Sequence, residues 1–99
     1  MTVVRWTDQA VHDLQSIREF IERDSPRYGR LVAERLYHAT SKIESFPLSG
    51  RMVPELGREE IRELIVGDYR IVYRLEGELA VLLTVYRSSM LFPFRLFDE

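Results

Sequence analysis

Ninety-nine residues, 45% hydrophobic and 30% charged, suffice for one globular domain and no more, and a chain of this size buries only about 60–68% of the surface its unfolded form exposes. The formal net charge of −2 and the absence of cysteine argue against a general nucleic-acid binder, which carries a basic excess, and exclude disulfides and thiolate metal sites. His12 and His38 have no ligand-like spacing, so neither a metal nor any other cofactor is expected.

Val3-Val4-Arg5-Trp6 reads as a short first strand. Thr7 or Asp8 then caps a helix, because a side-chain oxygen there can accept a free backbone N–H of the first turn. Ala10, Leu14, Ile17 and Ile21 fall at helical spacing and form one apolar stripe. Asp24-Ser25-Pro26 ends this helix and begins the next, with Ser25 placed to cap and Pro26 suited to the first helical position. The second helix is expected from Pro26 to about Ser45, its stripe being Val32, Leu36, Ala39, Ile43 and Phe46. A turn this short between amphipathic helices implies an antiparallel hairpin.

Pro47 and Gly50 stop the second helix, and Pro54 and Gly57 mark residues 52–60 as a loop. Three strands follow. Residues 61–66 and 69–75 flank Gly67-Asp68, a two-residue turn with glycine first, as a type II′ hairpin requires. Glu76-Gly77-Glu78 then turns into a strand over 79–86. The end of the chain, Met90 to Phe97, is strongly apolar. The expected architecture is α+β, in the order β-α-α-β-β-β, with the helical hairpin on one face of a small antiparallel sheet.

The turn fixes the hairpin register. Pairing Val66 with Tyr69 sets Leu64 opposite Ile71 and Arg62 opposite Tyr73. The other face then carries Ile61, Glu63, Ile65, Arg70, Val72 and Arg74, and a two-residue second turn adds Leu82 to the first face and Leu79, Val81 and Leu83 to the second. Two helices cover one face only, whereas both faces here bear aliphatics. The second face calls for a cover: the C-terminal apolar tail, a second copy, or another protein.

Single residues admit plainer roles. Arg62 and Glu63 point to opposite faces and suit structural ion pairs. Tyr69 and Tyr73 suit a core with solvated hydroxyls, Trp6 suits packing, and Glu59-Glu60 suits a solvated loop. No Ser/His/Asp set, phosphate loop or paired-carboxylate site can be assembled. The segment Met1 to Asp8 lacks an apolar signal-peptide core and no run approaches bilayer length, so a cytoplasmic location away from membranes is expected.

Phe46-Pro47-Leu48-Ser49-Gly50-Arg51, Val53-Pro54-Glu55-Leu56, Arg62-Glu63-Leu64 and Tyr69-Arg70-Ile71-Val72-Tyr73, in this order and length, resemble the RelE/ParE superfamily of bacterial toxins. The ParE branch is the nearer in pattern. The resemblance spans nearly all of residues 1–99 and implies one toxin domain in a type II toxin–antitoxin module of the plasmid-stabilisation kind. It would arrest growth by inhibiting DNA gyrase and be neutralised by a cognate antitoxin in a hetero-oligomer. An antitoxin tail would meet the second face at Ile65, Arg70, Val72, Arg74, Val81 and Leu83, the aliphatics supplying burial and the arginines meeting acidic side chains.

RelE members instead cut messenger RNA on the ribosome. Arg70 matches a catalytic arginine of that branch. Arg87 is the nearest counterpart of a second basic group, displaced by one position. The expected tyrosine is replaced by Phe92, Pro93 or Phe94, none with a hydroxyl. An endoribonuclease using Arg70 and Arg87 is therefore the alternative to a non-enzymatic gyrase toxin. An inactive relative that only binds antitoxin is a second alternative.

Overall fold

A computed structural model describes residues 1–97, so the last two positions of the expected 1–99 unit lie outside the described residues. Five strands and two helices follow in the order β1 (Val3–Trp6), α1 (Asp8–Glu22), α2 (Pro26–Ser45), β2 (Arg51–Met52), β3 (Ile61–Val66), β4 (Tyr69–Glu76) and β5 (Leu79–Arg87), with a 3-10 turn at Phe94–Leu96. Both helices start where the capping chemistry placed them. The Thr7 hydroxyl oxygen accepts from the Ala10 N–H at 3.1 Å, and the Ser25 hydroxyl oxygen accepts from the Tyr28 N–H at 3.2 Å. Each satisfies one orphan donor of a first turn.

The sheet order is β1-β5-β4-β3-β2. Strands β3 to β5 are antiparallel, as expected, and β2 adds antiparallel to β3, but β1 joins the far side of β5 in parallel, with Val3 opposite Leu79 and Trp6 opposite Leu82. The sheet is therefore mixed, because the first strand pairs with the last across the whole chain. The pairs Val66–Tyr69, Leu64–Ile71 and Arg62–Tyr73 form as the turn dictated. Gly67 (φ 56°) and Gly77 (φ 59°) take the left-handed conformation that lets each two-residue turn follow the twist of its strands.

Two features depart from the sequence reading in this region. Arg51–Met52 is a short edge strand rather than the start of a loop, too brief between Gly50 and Pro54 for its alternation to register. Strand β5 also carries a bulge: Tyr73 pairs with Leu82 but Val72 with Thr84, so Leu83 is the extra residue.

Between helices and sheet lies the main core, built on Leu36, Ile43, Ile71, Tyr73, Leu82 and Val85, with Leu14, Ile17 and Ile21 of α1 packed against it. Phe46, expected to complete the α2 stripe, is instead 67% exposed. It is the C-cap residue, and its non-helical backbone (φ −133°, ψ 72°) turns the side chain away from the stripe. Tyr73 also differs from expectation. Its hydroxyl is not solvated but donates to the Pro47 carbonyl (2.7 Å) and accepts from the Gly50 N–H (3.1 Å).

The second face of the sheet has its own small core. Val53, Ile61, Val72 and Phe92 are buried together, with Leu56, Leu83, Tyr86 and Phe97 packed around them. The cover is intramolecular: the loop after β2 from one side and the C-terminal tail from the other. Among the described residues, no helix is long and apolar enough to cross a membrane.

Candidate functional site

Strand alternation sends Arg70 of β4 to the second face, where the loop after β2 brings Glu55 and β3 brings Glu63. The Arg70 Nε donates to Glu63 at 2.6 Å, and its two terminal nitrogens donate to both oxygens of Glu55 at 2.9 and 2.8 Å. A terminal nitrogen also contacts Glu63. Arg51 of β2 completes the set, donating to the other Glu63 oxygen at 2.7 Å. Aromatic rings close the guanidinium from the sides, with its central carbon 5.3 Å from the Tyr86 ring centre and 5.5 Å from that of Phe92. Phe92 in turn stacks on Phe97 at 5.3 Å. The result is a bidentate, charge-assisted clasp under an aromatic lid, and Arg70 is only 8% exposed.

The clasp shifts its members in predictable directions. Hydrogen bonds from Arg70 hold the Glu55 carboxyl down at about 2, against the offset of partial burial. The same bonds raise the Arg70 guanidinium further above its already high range. Burial pushes the Tyr86 phenol up to about 12, and among the described residues its buried hydroxyl has no hydrogen-bond partner. At neutral pH Glu55 thus stands as an ionised partner of the Arg70 cation, beside a neutral Tyr86 phenol.

Glu55 provides an acid-titration test. A carboxyl whose folded value lies below its unfolded one contributes stability that is fully present above about 4.5 and fades as pH falls toward about 2. Glu55→Gln should flatten that part of the curve. The urea midpoint of the wild type should fall more steeply across this window than that of the variant, and equal slopes would show that Glu55 is not clasped in solution.

The residues singled out from the sequence occupy different settings. Arg70 and Val72 are buried, and Leu83 is partly buried in the second core. Arg74 is half-exposed and donates to Glu76 at 2.7 Å. Val81 is partly buried, and Ile65 is exposed near the open side of β3. Arg87 does not converge with Arg70: Arg70 pairs with Tyr86 and Tyr69 with Arg87, so the two arginines project from opposite faces of the sheet. Glu55 and Phe92 were not foreseen as parts of the site. Their signals were the segment Val53-Pro54-Glu55-Leu56 and an unusually apolar stretch from Met90 to Phe97.

Beside the clasp, an open cleft of about 540 Å³ runs between the start of α1 and the tail, lined by Gln9, Asp13, Thr84 and Tyr86 and by residues 90–96. Leu91 (94% exposed), Met90 and Phe94 form its apolar rim.

Comparison with known proteins gives consistent relatives. The sequence profile of a family described as "ParE toxin of type II toxin-antitoxin system, parDE" matches residues 4–92. Y4kP of Sinorhizobium fredii is 33% identical over 93 residues, covering 91% of this chain and 92% of its own length. Toxin RelE2 of Caulobacter vibrioides is 30% identical over 91 residues, covering 92% of this chain and 100% of its own. Among solved structures, a chain of the chromosomal ParDE system from P. aeruginosa superposes with a TM-score of 0.72 at 18% identity, covering 88% of this chain and 96% of that one. A chain of the RelBE2 toxin–antitoxin complex from Mycobacterium tuberculosis superposes at 0.57 with 27% identity, covering 87% and 96%.

Proposed function

Since the chain belongs to the ParE toxin family of type II toxin–antitoxin systems, we propose that it arrests growth by binding and inhibiting DNA gyrase, without catalysing a reaction of its own. In this reading a cognate antitoxin holds it silent in a cytoplasmic hetero-oligomer, an arrangement suited to stabilising a plasmid or chromosomal segment. The solved relatives include a toxin–antitoxin complex, which supports an antitoxin as partner.

The observation that carries the non-enzymatic reading is the commitment of Arg70. A nuclease arginine must offer its N–H groups to a phosphate as charge develops. Here Nε and both terminal nitrogens are spent on Glu55 and Glu63, and Arg87 lies on the other face. No hydroxyl stands at Phe92, Pro93 or Phe94 to assist a proton transfer.

The test is a titration of the purified chain, with and without antitoxin, into gyrase supercoiling and cleavage assays. Inhibition that antitoxin reverses is the expected result. Growth arrest with gyrase untouched would shift the assignment to ribosome-dependent messenger cleavage through Arg70 and Arg87. Antitoxin binding with no growth arrest would leave only the role of an interaction module.

A further inference from the structure

Helix α2 buries Gly29, Val32, Leu36, Thr40 and Ile43, which helical spacing puts on one side of the cylinder. Arg27, Arg30, Arg35 and Lys42 fall within an arc of about 140° centred opposite that side, and all of them are exposed. Glu34 is the single carboxylate on the same arc. Glu44 lies outside it, toward β1, where its carbonyl accepts from the Thr2 N–H at 3.3 Å.

The formal charge of −2 conceals this face. Helix α1 holds Asp8, Asp13, Glu19 and Glu22 against Arg18 alone, so the two helices carry opposite charge. Ion pairing deepens the contrast. Arg18 is held by Glu22, Arg51 and Arg70 by Glu63, and Arg74 by Glu76. Among the described residues, no carboxylate meets Arg27, Arg30, Arg35 or Lys42. Arg30 precedes Glu34 by one turn, the weaker order for a helical pair, and the two do not join.

The face also lacks what a protein partner would bury. Docked helices present rows of apolar anchors, and interface centres are apolar and poor in charge. Here Leu31, 45% exposed, is the one large apolar side chain on the arc, with Tyr28 and Tyr37 at its two borders. A polar and strongly cationic surface has the composition of a nucleic-acid contact. From Arg27 to Lys42 the face runs about 22 Å. The major groove of DNA is about 12 Å wide, so these cations can reach phosphates on both of its sides.

We infer that this face of α2 binds the phosphate backbone of duplex DNA, without reading its sequence. The choice of duplex DNA rests on the gyrase reading: a toxin that also grips DNA is held at the segment on which that enzyme acts. About three or four phosphate contacts give weak binding alone, and serve as a second point of attachment beside the enzyme.

The test is fluorescence anisotropy of a labelled duplex titrated with the full chain across a salt series. Such a contact predicts a log–log slope of about −3, which is roughly a sixtyfold loss of affinity between about 50 and 200 mM salt. Arg27→Gln with Arg35→Gln should make the slope shallower by about 2, whatever the DNA sequence. Arg5→Gln with Arg95→Gln removes equal charge at exposed positions elsewhere and should leave the slope near wild type. In a parallel supercoiling titration, the α2 variant should need several times more protein for half inhibition. Equal slopes for the two variants, or no anisotropy change at low salt, would overturn the inference, while inhibition of gyrase by the wild type would keep that reading standing. Tighter binding of single-stranded RNA would overturn duplex DNA as the ligand. An α2 variant that loses the protein encoded in the adjacent reading frame, with no DNA binding by the wild type, would give the face to an acidic protein segment instead. DNA binding that maps to α2 without gyrase inhibition would sink the gyrase reading alone.

Discussion

Arg70→Ala should cost about 3–5 kcal/mol of folding stability, the range for removing one member of a buried ion pair. Glu63 is only 1% exposed and would be left with Arg51 alone, whose side chain is 58% exposed. Glu55 would lose both of its donors, and the rings of Tyr86 and Phe92 would close over a gap. In a domain of this size each kcal/mol moves the melting temperature by about 4–8 °C, so the variant should be largely unfolded or close to it. A catalytic arginine on an exposed face would behave differently, giving a well-folded, inactive protein. Removing the charges together separates the cases: Arg70→Met with Glu63→Leu and Glu55→Gln should recover most of the stability, since an apolar replacement of similar volume removes the stranded carboxylate. Urea unfolding of both variants decides the matter, and a wild-type midpoint for Arg70→Ala would show that the clasp is not closed in solution.

Gly50→Ala should be the other severe change, at about 2–4 kcal/mol, combining overpacking with the loss of buried hydrogen bonds. A Cβ on Gly50 would sit 2.6 Å from the Tyr73 hydroxyl oxygen and 2.8 Å from the Glu63 backbone oxygen. Glu63 belongs to a paired strand and cannot yield cheaply, so Tyr73 must move. Its hydroxyl would then give up both the Pro47 carbonyl and the Gly50 N–H. Tyr73→Phe alone should cost about 1–3 kcal/mol by stranding those two groups. The double variant should be clearly less damaging than the sum, because both changes break the same bonds. Strict additivity in denaturant midpoints would rule out the shared contact.

The contrast between what could be read in the residues and what could not follows the range of the interactions. Thr7, Ser25 and Pro26 act within one helical turn, and Gly67 fixes the pairing of its own hairpin, so caps, helix starts and the register from Arg62 to Tyr73 were legible. The partners of Arg70 were not. Glu55 reaches it from a loop fifteen positions away, and nothing local distinguishes that carboxylate from its solvated neighbours Glu59 and Glu60. The extra residue at Leu83 was hidden for a similar reason, since strand alternation looks unbroken there and the bulge shows only against the partner strand. The second face was recognised as needing a cover. Which of three candidates supplied it depended on where Phe92 comes to rest, and a terminal apolar run does not encode its own landing site.

The parallel pairing of β1 with β5 has a consequence in time. Val3 must wait for Leu79 before it can take its place, and the lid residue Phe92 emerges later still. Contacts so distant in sequence form slowly, and during synthesis at about 5–20 residues per second the nascent chain cannot close its sheet until β5 has left the ribosome. A truncated product would keep an unfilled edge and an uncovered face, and would be a substrate for proteases rather than a partial toxin. The architecture thus ties competence to the emergence of β5 and of Phe92.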